Sequence, residues 1–76
     1  MDLDLNKLSN ELLVLLTNYL KRDPDTLARI TEIGEQLDQE GGMRLMRQVG
    51  TMVQDQDPLK ASWLNNAWDG IGSWMS

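Results

Sequence analysis

Two Asp-Pro pairs, Asp23-Pro24 and Asp57-Pro58, punctuate this chain and decide much of what it can fold into. An aspartate accepts the orphan N–H groups of a helix's first turn, and a proline placed just after it loses nothing by lacking its own N–H. Each pair therefore marks a helix start. Lys21 and Arg22, just before the first pair, suit the C-terminal end of a preceding helix, where cations are favoured. Gly41-Gly42 marks a third boundary. One of these glycines is expected to take the left-handed conformation that closes a helix, and the other to let the chain turn sharply. Asp69-Gly70 should end the last helix.

Between these marks the apolar residues keep helical spacing. Leu8, Leu12, Leu15, Leu16 and Tyr19 fall on one face, and Leu13, Val14 and Leu20 widen it beyond a single stripe. The next segment sets Leu27, Ile30, Gly34 and Leu37 on one side with Ile33 beside them, and turns Arg29, Glu32, Gln36 and Asp38 outward. A methionine-rich third helix, about 43–54, faces inward with Leu45 or Met46, then Val49, Met52 and Val53. Leu59, Trp63, Leu64, Ala67 and Trp68 outline a short fourth. No segment alternates as a strand does, and no internal repeat is present. The expected fold is all-α, a compact bundle of three to four short helices, antiparallel or orthogonal. Residues 1–76 read as a single helical domain whose last stretch, 70–76, is an irregular tail that tucks back or docks elsewhere.

The chain has 76 residues, and a domain of this size buries only about 60 to 65% of the surface its unfolded form exposes. Small cores of this kind rarely supply more than roughly 3–5 kcal/mol, so a disulfide, a metal or a partner often adds stability. With no Cys and no His, disulfides, thiolate or imidazole metal sites, and Cys or Ser-His catalysis are excluded together. Association remains. Twelve acidic against seven basic residues give a net charge of -5, which repels the phosphate backbone of nucleic acids. The longest apolar run, Leu12 to Leu16, is far short of the roughly 20 residues that span a bilayer. The start, Met1-Asp2-Leu3-Asp4, lacks the basic and apolar regions of a signal peptide, so a soluble cytoplasmic protein is expected.

No catalytic centre is evident. Glu32, Glu35 and Asp38 are spaced as ordinary surface carboxylates, with no nucleophile beside them. Asp55, Asp57 and Asp69 lack calcium-loop spacing, and Asp57 is already accounted for as a cap. We expect neither an enzyme nor a bound metal or cofactor. Ile33 to Leu37, followed after the glycines by Leu45, Arg47 and Val49, suggests a helix-turn-helix in which Arg44, Arg47 and Gln48 would read DNA. The turn is about one residue too long for that motif and the basic residues are few. A sharper feature is the three tryptophans in a chain without phenylalanine. Trp63 and Trp68 stand roughly 140° apart around a helix, so one of them must be peripheral. Tryptophan is enriched in binding hot spots. Leu13, Val14, Trp68, Ile71 and Trp74 are therefore the expected contacts of a noncatalytic protein–protein interaction module, assembling as a homodimer or docking on a larger protein.

The segment Ile33-Gly34-Glu35-Gln36-Leu37, then Gly41-Gly42-Met43 and Leu45-Met46, and the ending Trp68-Asp69-Gly70-Ile71-Gly72-Ser73-Trp74 resemble a group of small uncharacterised bacterial proteins. The resemblance covers the C-terminal half to two-thirds of the chain and implies a bacterial origin. It implies no activity and carries over no catalytic or binding residue.

Overall fold

The computed structural model describes residues 4–72 and Trp74. Asp4, Asp23 and Asp57 each accept a backbone N–H from the turn that follows, from Lys7 (3.1 Å), Asp25 (3.0 Å) and Lys60 (3.3 Å). Behind them run α1 (Leu5–Thr17), α2 (Pro24–Gln56) and α3 (Pro58–Trp68). Both Asp-Pro pairs thus act as the start signals they resemble, with proline in the first turn. Among the described residues there is no strand, and the fold is a small all-α bundle.

Helix α1 stops earlier than its basic flank suggests. The Thr17 hydroxyl donates back to the Leu13 carbonyl (2.9 Å), Asn18 leaves helical geometry, and Tyr19–Lys21 forms a single 3₁₀ turn. Arg22, with φ of 54°, then hands the chain to Asp23.

Helix α2 has 33 residues, which at about 1.5 Å each would make a straight rod of about 50 Å. The longest dimension of the molecule is 31 Å. The rod is broken at Gly42, whose φ of 65° and ψ of −157° lie in a region essentially reserved for glycine. Hydrogen bonding resumes at once on either side, so a first arm (24–41) and a second arm (43–56) meet at one non-helical residue. The sequence-based expectation of two helices separated by a glycine turn becomes one sharply kinked helix. Gly41 stays helical, and Gly42 alone makes the corner.

The core is one cluster drawn from all three helices: Leu8, Leu12 and Leu16; Ile30, Ile33 and Leu37; Met46, Val49 and Val53; Leu64 and Trp68. Its seam is the contact of α3 with the first arm of α2. The Trp68 indole is fully buried and donates its N–H to the Ile30 carbonyl at 3.0 Å. Its pyrrole atoms occupy the space above Gly34, where an added Cβ would stand 2.6, 2.8 and 3.0 Å from three of them. Only glycine lets the indole approach this closely. No buried side-chain nitrogen or oxygen among the described residues is left without a partner.

After α3 the chain makes two tight turns, with Ile71 N–H to the Trp68 carbonyl (2.9 Å) and Trp74 N–H to the Ile71 carbonyl (3.0 Å). These bring Trp74 back onto the fold, edge-to-face with Trp68 at 5.3 Å. The described part of the expected tail therefore tucks back. The rest of it, Ser73, Met75 and Ser76, lies outside the described residues, as do Met1 to Leu3.

Two glycine substitutions should separate the two constraints. Gly34→Ala gains about 1 kcal/mol of helix propensity but must displace the indole, for a net loss of about 1–3 kcal/mol. Gly42→Ala meets no atom within 4 Å, so its loss, also about 1–3 kcal/mol, is purely conformational. Urea denaturation measures both. A Gly34→Ala chain as stable as the parent would show that the indole moves aside freely.

Candidate functional site

Of the residues that sequence spacing marked as partner contacts, Trp68 requires correction. Its indole has no exposed surface and is bonded to α2, so it is a core residue that no partner can touch. The sequence signal for this was Gly34, a glycine in the middle of an apolar helical face, which makes room for one large side chain. Leu13, Ile71 and Trp74 are half-buried against the core. Val14 is 67% exposed and points away from the buried face of α1.

With Trp68 inside, Trp63 must turn outward by their angular separation. It does so onto the 3₁₀ turn that follows α1: Tyr19 and Trp63 stack with ring centroids 6.0 Å apart and planes within 15°. Below the stack, Lys60 donates to the Thr17 hydroxyl (2.8 Å) and lies 3.9 Å from the Asp57 carboxylate. These contacts tie the end of α1 to the start of α3. Around them Leu20, next to Tyr19, is 69% exposed, and Leu59, one turn before Trp63, is 60% exposed. The aromatic stack is thus accompanied by two bare leucines, one adjacent in sequence to Tyr19 and one a helical turn from Trp63. Neither leucine is among the contacts expected from the sequence, where Leu20 only widens the apolar surface of the first helix and Leu59 helps to outline the fourth. The early stop of α1 is what turns Leu20 out.

The other flank of α3 faces the second arm of α2 across an open groove of about 500 Å³. Arg47 and Trp74, expected on different functional surfaces, both line it. Trp74 donates its indole N–H to Asn65 Oδ1 at 2.9 Å and lies beside Gly50. Arg44, Arg47 and Gln48 are all exposed on the second arm.

The titratable groups do structural work. Arg29 on α2 grips Glu11 on α1 through Nε (2.6 Å) and a terminal nitrogen (3.1 Å), and also donates to Glu32. Hydrogen bonds from Arg29, outweighing partial burial, hold the Glu11 carboxyl below the usual range, and the same bond holds Arg29 above its own. Among the described residues no three Asp, Glu, His or Cys side chains gather to hold a metal ion, and no helix is long and apolar enough to cross a membrane. No known protein family, curated protein or solved structure matches the chain.

A carboxyl whose folded-state pKa is depressed contributes stability that is complete above its ordinary range and lost as pH falls through the folded value. Both partners are about a third exposed, so the contribution is screened to about 0.5–1 kcal/mol. Glu11→Gln should cost that much near neutral pH, and the gap between parent and variant should close below about pH 4. Urea melts across this range check it, and a gap independent of pH would mean that the loss is one of packing.

Proposed function

We propose that this chain is a noncatalytic protein–protein interaction module that docks through the apolar surface joining the end of α1 to the outer side of α3. The observation that carries the reading is the pair of exposed leucines, Leu20 next to Tyr19 and Leu59 one turn before Trp63, on the two segments whose rings stack. Burying a leucine side chain is worth about 1.5–3 kcal/mol, and inside this small chain neither residue contributes that gain. A partner that covers them does. Stacked aromatics add large rigid area at little entropic cost, which is why such rings recur in hot spots. Lys21 and Arg22 next to the patch, with Lys60 beneath it, relieve the repulsion that five excess negative charges impose on an approaching acidic protein.

The alternative of a small helix-turn-helix-like DNA-binding regulator gains little from the geometry. Arg44, Arg47 and Gln48 do face outward, but the break before them is one residue, Gly42, whereas that motif uses about three or four. Two arginines are also few against the net charge of the chain.

Leu20→Glu/Leu59→Glu changes only exposed positions and should leave the helical circular dichroism intact. Light scattering coupled to size exclusion, over a concentration series, should show the parent gaining mass and the double variant remaining a monomer. A parent that is monomeric throughout removes self-association and leaves a different protein as the partner. If crosslinking in extract captures the same neighbours with parent and double variant, this patch is not the docking surface.

A further inference from the structure

The groove between α3 and the second arm of α2 is independent of the apolar patch and has its own chemistry. Its volume, about 500 Å³, is that of a small-molecule site. One wall presents Arg47, Thr51 and Gln54, and the other presents Ser62 and Asn65, so hydrogen-bonding groups face each other across it. Its apolar part is made by Ala61 and by Trp74, whose ring rests against Gly50, above the buried Leu64. Although the chain carries twelve acidic residues, none of the described ones lines this groove. The acids nearest in sequence are Asp55, which is exposed, Asp57, which caps α3 and faces Lys60, and Asp69, which caps the other end of α3. Among the described residues Arg47 meets no hydrogen-bond or ion-pair partner, and the Asn65 amide nitrogen is left over once its oxygen has taken the Trp74 N–H.

We infer that this groove is a binding site for a small monoanionic amphiphile, a carboxylate carried on a flat apolar ring system. The carboxylate pairs with the Arg47 guanidinium, whose parallel N–H groups match its two oxygens, and the side-chain donors of Gln54, Ser62 and Asn65 complete its shell. The ring lies along Ala61 and the half-buried Trp74, where it covers the part of the indole that the fold leaves exposed.

The test titrates the whole chain, labelled with ¹⁵N, with naphthalene-1-acetate and in parallel with its neutral amide, naphthalene-1-acetamide. Saturable shifts are expected in the Trp74 indole N–H and in the backbone of Thr51 and Ser62, with the acid binding about tenfold more tightly than the amide. Arg47→Gln, and separately Gln54→Glu, should each weaken the acid about tenfold and leave the amide unchanged. Both substitutions are at exposed positions, and the Leu20→Glu/Leu59→Glu chain should bind both probes as the parent does. Equal affinity for acid and amide, shifts centred on Tyr19 and Trp63, or no saturation at millimolar concentration would each overturn the assignment.

Discussion

The indole of Trp68 seated on Gly34 is the contact on which the remaining geometry depends. It fixes α3 against the first arm of α2 by apolar burial and by one hydrogen bond to Ile30. The Ile30 carbonyl is also the helical acceptor for the Gly34 N–H, and an sp² oxygen has room for both. Once Trp68 is inside, the angular spacing of α3 leaves no choice for the rest of the helix. Leu64 follows it into the core, Trp63 turns toward Tyr19, Leu59 turns outward, and Ser62 and Asn65 face the second arm. A single packing decision thus creates both surfaces to which function has been attributed.

The second constraint is the corner at Gly42. It lets the second arm fold back within a 31 Å molecule, so that Met46, Val49 and Val53 join a core begun by Ile30, Ile33 and Leu37. The same folding sets the second arm alongside α3. Without it there would be no opposite wall for Ser62 and Asn65, and Trp74 would have nothing to lie against at Gly50.

What was legible in the sequence was local. Asp23-Pro24 and Asp57-Pro58 announce helix starts because capping needs only a side chain and the next few N–H groups, and both were read correctly. The inward faces of the longer segments follow from periodicity, as Leu12, Ile30, Leu37 and Val53 show. What was not legible depended on long-range choices. Periodicity says that Trp63 and Trp68 cannot both be buried, but choosing between them requires knowing that Gly34 lies opposite. The general enrichment of tryptophan in interfaces pointed to the wrong one. The spacing counts Leu20 as part of a widened apolar surface on a helix that runs to Lys21 and Arg22, whereas the Thr17 back-bond and the 3₁₀ turn end α1 sooner.

The magnitudes show where the stability of so small a chain resides. The Glu11–Arg29 pair joins α1 to α2 with good geometry, but at about a third exposure it is worth at most about 1 kcal/mol. Removing a buried tryptophan side chain costs about 3–5 kcal/mol, comparable to the whole stability expected of a core this size. The fold is therefore held chiefly by the α2–α3 seam and only trimmed by electrostatics. This ordering has a consequence for function. Both proposed surfaces stand on α3, an 11-residue helix too short to persist alone in water, so each is only as well formed as the seating of Trp68 makes it. The exposed leucines and the groove residues supply recognition, and the buried indole supplies the rigidity without which that recognition would have to be assembled at each encounter.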